Sequence, residues 1–391
     1  MGTPPYVTAP RTAAWLAGLA AVLTACGAGG SNIVAGRSPS PAVSPAAAAS
    51  PSGHPATSPT ASGAGSPSPT RAPQPITGAY GVLYSNQAVS TYTVSIVGID
   101  GKVAASATAS TPPAVTCGSA AAALVSPPVS MSNTRAYFMD AQGAVNYLAP
   151  SGDTGRATTL PASSASRRAM FAVSPDDQRI AVVVDDFTSS GATTHLYVED
   201  VNGGGNHLDL FSENGASTLW PIGWHGTNNL VLAKVVSCTQ GGGPFCCGPL
   251  ELHVIDPATA QRRFTLGGPD CVLAGPASLA GVVCEETGGF TFAREVNWTD
   301  GTFNSFPIQG PSPSFLAPDG AHAALVVNGQ TRMNPVTIRY MDMQACGWID
   351  GTHLIAGGDL QTQARVGDVL AGTMTPVAAQ GDCAGRLPGG L

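Results

Sequence analysis

From Gly78 onward the apolar residues fall in short runs that are β-branched or aromatic: Tyr80 to Tyr84, Tyr92 to Ile99, Ala136 to Met139, Ile180 to Val184, His195 to Val198, Leu230 to Val236, Leu250 to Ile255 and Ala323 to Val327. Gly, Asn, Asp and Pro punctuate them at close intervals, which is the pattern of strands joined by tight turns. Almost nothing sustains a helical period. The one Ala-rich stretch, Ala120 to Ala123, is flanked by Gly118 and by Pro127-Pro128 and is too short to make a helix. The pattern predicts an all-β protein.

Three elements recur within this region, and recurrence narrows the choice among all-β architectures. Phe171-Ala-Val-Ser-Pro-Asp-Asp-Gln-Arg-Ile-Ala-Val-Val-Val184 aligns with Phe315-Leu-Ala-Pro-Asp-Gly-Ala-His-Ala-Ala-Leu-Val-Val327, a strand, a Pro-Asp turn and a second apolar strand. Proline presets φ at the first central position of a turn, and Asp or Gly tolerates the backbone conformation of the positions after it. Leu196-Tyr-Val-Glu-Asp-Val-Asn-Gly203, Leu252-His-Val-Ile-Asp-Pro-Ala-Thr259 and Val94-Ser-Ile-Val-Gly-Ile-Asp-Gly101 each run an apolar strand into a turn opened by Asp or Asn. Trp224-His-Gly-Thr-Asn-Asn-Leu-Val-Leu232 and Trp348-Ile-Asp-Gly-Thr-His-Leu-Ile355 form the third set.

These residues resemble the TolB-type and WD-like β-propellers, whose blades carry a Ser-Pro-Asp-Gly turn between their first two strands and a Leu-Tyr-Val-x-Asp element in the third. Ser174-Pro175-Asp176-Asp177 and Ala317-Pro318-Asp319-Gly320 each match that turn with one substitution, while the segments around Ser132 and Gly281 do not. Units begin near residues 78, 128, 169, 218, 277, 313 and 345, averaging about 45 residues, the length of a four-stranded blade. The resemblance implies a seven-bladed propeller over residues 78–391, with six blades second and a stack of β-sandwiches third. Rings of this kind are commonly closed by pairing N- and C-terminal strands. Residues 78 to 84 are expected to pair near 366 to 378, leaving the tail from Gly381 to Leu391 outside the ring.

The first 77 residues have a different character. Residues 12 to 25 are apolar, uncharged and follow Arg11, ending in Leu23-Thr24-Ala25-Cys26. As a helix this run would rise ~21 Å against a hydrocarbon core of ~30 Å, so it suits a signal h-region better than a membrane span. The spelling around Cys26 resembles a bacterial lipobox. That resemblance implies a signal peptide over residues 1–25, acylation of the Cys26 thiol with palmitate-type chains, and retention at the cell membrane on the extracytoplasmic side. A secretory signal without lipid is the alternative. Residues 27 to 77 carry no Asp, Glu, Lys or aromatic residue and are almost wholly Ala, Ser, Pro, Gly and Thr. Such a segment buries too little apolar surface to offset its ordering entropy. Residues 26–77 are thus expected to act as a disordered linker, reaching on the order of 150 Å if stretched as polyproline II.

Cysteine usage fits an oxidising compartment. With Cys26 set aside, eight remain, Cys117, Cys238, Cys246, Cys247, Cys271, Cys284, Cys346 and Cys383, and an even set outside the cytosol reads as up to four disulfides. Proximity pairs Cys271 with Cys284 and Cys346 with Cys383. Adjacent Cys246 and Cys247 are expected to bond different partners, one of them Cys238. No Cys-x-x-Cys pair occurs and the seven histidines are scattered, so neither a metal nor another cofactor is implied.

Charge changes the list of partners. From residue 78 there are 14 basic against 24 acidic side chains, and only Lys102 and Lys234 are lysines. Without a cationic cluster to displace counterions, nucleic acid is excluded as a partner. The lipid is left as the attachment to the membrane.

No sequence motif supplies catalytic residues: there is no nucleophile elbow, no His-Glu-x-x-His, no phosphate-binding Gly-x-x-x-x-Gly-Lys and no calcium loop. Glycines 203 to 205 and 241 to 243 are expected in hairpin loops. The acid pairs Asp185-Asp186, Glu199-Asp200 and Glu285-Glu286 would point to opposite faces of a strand, and are expected at solvated turns. Trp220, Trp224, Trp298 and Trp348 are expected in blade cores, Trp224 and Trp348 at equivalent positions. Asn297-Trp298-Thr299 has the form of a glycosylation sequon. The function read from this sequence is a binding or scaffolding module in the cell envelope, with a protein or glycan partner. The alternative is an extracytoplasmic propeller enzyme, of hydrolase or lyase class, acting on a glycan, lactone or peptide.

Overall fold

A computed structural model describes residues 72–88, 90–117, 120–123, 128–188, 191–237, 251–299, 301–335 and 340–391. Cys26, Cys238, Cys246, Cys247, and glycines 241 to 243 lie outside those residues, as do the signal and nearly all of the linker. No helix among the described residues is long and apolar enough to cross a membrane.

The chain builds seven antiparallel sheets in succession. Blade 1 holds the strands Tyr80–Ala88, Thr91–Gly98 and Val103–Ser110, and blade 2 runs from Val129–Met131 to Thr154–Thr159. Blade 3 comprises Arg167–Val173, Arg179–Thr188, Gly191–Asp200 and Leu208–Gly215, and blade 4 extends from Ser217–His225 to Arg262–Leu266. Blade 5 starts at Cys271–Leu273 and ends at Thr302–Pro307. Blade 6 has three strands, Ser314–Leu316, Ala323–Val327 and Gln330–Asn334, with Met341 bridging to Thr331 where a fourth would lie. Blade 7 spans Gly347–Trp348 to Thr373–Pro376. A small hairpin, Val115–Cys117 with Ala120–Ala123, stands between blades 1 and 2.

Side-chain alternation turns these sheets into a ring. Along one strand of blade 2, Ala136 and Phe138 pack on blade 1 while Tyr137 and Met139 pack on blade 3. In blade 3, Phe171 and Val182 face blade 2, and Met170 and Val183 face blade 4. In blade 6, Leu316 joins blade 5 and Phe315 joins blade 7. Ile349 and Ile355 of blade 7 meet Leu83 and Val97 of blade 1, which completes the circuit. A strand sandwiched between two sheets is buried on both faces and needs apolar residues at successive positions. That is why these strands read as unbroken apolar runs instead of alternating ones.

The ring closes differently from the expectation. Tyr80 to Tyr84 pair with Asp382–Leu387, not with residues 366 to 378, whose strands Arg365–Asp368 and Thr373–Pro376 form the outer part of blade 7. Asp382–Leu387 becomes the first strand of blade 1 and touches the first strands of blades 2 and 7. The tail therefore lies inside the ring. Cys346 and Cys383 are bonded, with Cα atoms 5.8 Å apart, and staple this strand to the start of blade 7. Cys271 and Cys284 bond within blade 5 at a Cα separation of 5.2 Å. Both pairings match the proximity reading.

Candidate functional site

The first strands of the blades surround a cavity of about 660 Å³ on the axis. Its walls include Met131, Met170, Phe171, Trp220, Phe315 and Trp348, with prolines 128, 276 and 318 beside strand ends and Pro221 at a bulge within Ser217–His225. Ser130, Ser278 and Tyr84 add hydroxyls. Among the described lining residues only Asp382 and Arg386 have charged side chains, both on the closing strand. Burial pulls the Arg386 guanidinium below its ordinary range, and the Asp350 carboxylate only opposes that pull. Its Nη2 is buried without a hydrogen-bond partner among the described residues, as is Nε1 of Trp220.

The segment after the closing strand crosses the cavity wall. Gly389 N–H donates to Ser132 O at 2.8 Å in blade 2, and Leu391 N–H donates to Trp224 O at 2.8 Å in blade 4. His225 Nδ1 meets Leu391 O, and the His225 ring stacks on Trp298 at 4.9 Å. At Gly389 a Cβ would sit 2.6 Å from the carbonyl oxygens of Met131 and Ser132, so only glycine lets the chain pass.

All four tryptophans expected in blade cores are buried in them, and three donate to a main-chain carbonyl. Trp224 Nε1–H donates to Ala172 O at 3.0 Å, Trp348 Nε1–H to Phe315 O at 2.9 Å and Trp298 Nε1–H to Ser278 O at 2.9 Å. Counted back from the turn prolines Pro175 and Pro318, Ala172 and Phe315 are equivalent, so Trp224 and Trp348 make the same bond at the same repeat position. Trp220 is buried in the same core as Trp224 and, like Trp224 and Trp348, also lines the cavity; the Arg168 guanidinium lies 4.4 Å above its ring.

The acid pairs do face opposite ways, but the first member of each, Asp185, Glu199 and Glu285, is buried in a strand and not solvated at a turn. Asp185 is buried within a strand, accepting from Arg168 Nη2 at 3.0 Å and Thr194 Oγ1 at 2.7 Å. Asp186, on the other face, takes both Arg167 Nε and Nη2 at 2.7 and 2.8 Å. Glu285 is buried and accepts Ser312 N–H at 2.9 Å, and burial raises its carboxyl. Glu199 receives His207 Nδ1 at 2.9 Å. Asp209 joins His207 at 3.2 Å and His195 at 2.9 Å, making a cluster on the outer strands of blade 3, away from the axis. No group of His, Cys, Asp and Glu among the described residues is arranged to hold a metal ion. Glycines 203 to 205 lie in a hairpin, as expected. Asn297 Oδ1 accepts from Thr299 and Gly301 and shapes a turn.

Two lining groups, Arg386 and Trp220, escape sequence reasoning as site residues. Neither stands in a motif, and the placement of Arg386 depends on how the ring closes.

No family model matches the chain, and no curated protein matches it in sequence. It is similar in part to several solved structures. BamB from Moraxella catarrhalis is 13% identical with a TM-score of 0.37, over 80% of this chain and 84% of that one. Dihydro-heme d1 dehydrogenase NirN in complex with DHE is 12% identical with a TM-score of 0.44, over 82% and 77%. An oligogalacturonate lyase in complex with manganese is 9% identical with a TM-score of 0.32, over 72% and 69%. The propeller assignment rests on strand order and inter-blade packing.

Proposed function

We propose that this chain is a membrane-anchored, extracytoplasmic binding or scaffolding propeller, acylated at Cys26, carried on the 26–77 linker, and engaging an envelope partner at its axial face. The observation that carries the binding reading is the axial cavity. Its wall is apolar and aromatic, while the buried carboxylates Asp185 and Glu285 are engaged in bonds within and between blades. A wall of that kind holds a ligand by shape and burial, with a few polar groups to orient it. The fold itself does not choose among functions, so the site has to. The anchor reading rests on the residues around Cys26 and on the disulfides Cys271–Cys284 and Cys346–Cys383, which suit an oxidising compartment.

The test is to express the full chain and its Cys26→Ala variant in a bacterial host and weigh the mature products. An acylated mass and membrane fractionation that are both lost in the variant are expected. An unacylated mass common to both would overturn the anchor. Capture of envelope extract on the purified protein should retain a protein or glycan, and capture of neither would count against binding.

A further inference from the structure

A second cleft lies away from the axis, in the seam where blade 7 meets blade 1. Its volume of about 840 Å³ falls in the ~300–1,000 Å³ range of ligand sites, and it shares no lining residue with the axial cavity. One wall is a face of the strand Thr91–Gly98, and blade 7 supplies the other from residues 359–363 and 377–380. Alternation divides the strand between two neighbours. Tyr92, Val94 and Ile96 pack on blade 2, while Thr91, Thr93 and Ser95 line the cleft. Deeper in the seam Leu83 and Val97 of blade 1 close on Ile355, Val366 and Val377, so the blades are joined there without the hydroxyls.

The third strand of blade 3 treats the face turned to its preceding blade differently. His195, Tyr197 and Glu199 alternate along it, Tyr197 packs toward blade 2, and the other two bond Asp209 and His207, each at 2.9 Å. That face is satisfied from within. On the face of Thr91–Gly98 only Thr93 is so engaged, through Thr108 Oγ1 at 3.1 Å. The hydroxyls of Thr91, Ser95 and Ser106 have no partner among the described residues, and Ser95, only 5% exposed, turns that exposure to the cleft.

Each hydroxyl both donates and accepts, as do the amides of Gln361 and Gln363 on the facing loop. Asp359 is the single charged side chain among the described lining residues, and its Oδ1 accepts the N–H groups of Gln361 and Thr362 at 2.8 and 2.7 Å. With no cation in the wall an anionic ligand finds no counter-charge, and an apolar ligand would leave the hydroxyls unmet. A peptide strand adds to an open sheet edge, whereas the backbone of Thr91–Gly98 is already paired on both sides. The chemistry left is an uncharged ligand dense in hydroxyls. Leu360, 82% exposed in the facing loop, offers an apolar surface to the C–H face of a sugar ring.

We propose that the cleft between blades 7 and 1 binds a neutral oligosaccharide, Thr91, Ser95 and Ser106 bonding its hydroxyls from one wall and Gln361 and Gln363 from the other. The site is distinct from the axial face proposed above.

The full chain carrying Cys26→Ala is titrated with cellotetraose, maltotetraose, tetra-N-acetylchitotetraose, a carboxylated hyaluronan tetrasaccharide and a Gly-Ser octapeptide, and binding is read by calorimetry and by tryptophan emission. At least one of the three neutral tetrasaccharides should bind, more tightly than the anionic one and than the peptide. Thr91→Val combined with Ser95→Ala should weaken that binding roughly fivefold or more, the scale of two hydrogen bonds. Should that variant unfold, Gln361→Ala combined with Gln363→Ala, both on an exposed loop, should weaken it likewise. Trp220, Trp224 and Trp348 line the axial cavity and none lines the cleft, so tryptophan emission should stay unchanged as the sugar binds. No binding of any neutral tetrasaccharide, equal or tighter binding of the anionic one or of the peptide, or unchanged affinity in a folded variant would overturn the proposal. A shift in tryptophan emission would put the sugar in the axial cavity and overturn it as well. Each of these outcomes leaves the envelope-partner reading to its own capture experiment.

Discussion

Blades 3 and 6 are made from the same repeat and are held in the ring by different means. Blade 3 has strands of seven to ten residues, blade 6 strands of three to five. Around blade 3 the fixing is polar. Asp177 replaces the turn glycine, adopts φ 60°, and accepts from Tyr137 Oη at 2.7 Å and Thr134 Oγ1 at 2.8 Å, both from blade 2. Gly320 holds the equivalent position in blade 6 at φ 71°, where a non-glycine residue would be strained. Around blade 6 the polar links are Ser312 N–H to Glu285 of blade 5 at 2.9 Å and Trp348 Nε1–H to Phe315 O at 2.9 Å, while the disulfides stand farther off, Cys271–Cys284 within blade 5 and Cys346–Cys383 between blade 7 and the closing strand. A repeat that keeps its turn can thus be secured by long strands and a side-chain latch at the turn, or by short strands tied through main-chain groups to the blades on either side.

The tryptophan bond common to both seams gives the strongest test. Trp224→Ala and Trp348→Ala should each cost about 3–5 kcal/mol in denaturant unfolding, as large buried aromatics do. A small loss for one and a large loss for the other would break the equivalence. Replacing both Cys346 and Cys383 by Ser should cost roughly 3–4 kcal/mol, and hydrogen exchange should quicken in Gly347–Trp348 and Asp382–Leu387 but not in blade 3. Uniform quickening would mean that the two sides of the ring are not separable.

Smaller effects probe the turns. Asp177→Ala strands the buried Tyr137 hydroxyl and leaves alanine at a positive φ, for about 2–3 kcal/mol. Asp177→Gly removes only the latch and should cost less. Gly320→Asp should cost about 1 kcal/mol, because an added Cβ lies 3.1 Å from that of Ala280 at a positive φ. The smallest effect belongs to His207, whose imidazole is raised above its ordinary value chiefly by the bond to Glu199. Its contribution is present in full below the unfolded pKa of 6.5 and is lost as pH rises through the higher folded one. Asp209, lowered chiefly by its bond to His207, contributes above its unfolded pKa and loses that contribution as pH falls through the folded one. An NMR titration of the His207 ring should show the upward shift, Glu199→Gln should reduce it, and His207→Gln should change unfolding little.

Most of the ring is legible in the sequence. Apolar runs and turn signals locate six blade starts within about two residues, since those segments bury both faces and must announce themselves in composition. Blade 5 begins at Cys271, ahead of the expected 277, because Cys271-Val-Leu273 is too brief to register as a strand. The closing strand, Asp-Cys-Ala-Gly-Arg-Leu, escapes for a different reason. Its outward contacts are largely backbone pairing and its side chains line the cavity, so it lacks the run of β-branched residues that marks the others. The roles of Asp185 and Asp186 are hidden because their partners, Arg168 and Arg167, are set by hairpin register across the Ser-Pro-Asp-Asp turn.

Closure by Asp382–Leu387 has a kinetic consequence. Tyr80–Ala88 is among the first folded segments to be synthesised, and its partner follows roughly 300 residues later, a separation at which loop-closure entropy is large and folding slow. Until then the first sheet keeps an open edge that can pair with another chain. The most hazardous interval for this protein is therefore the time between the arrival of residue 80 in the compartment where the chain folds and that of residue 387, and slowing that arrival should convert more of it to aggregate.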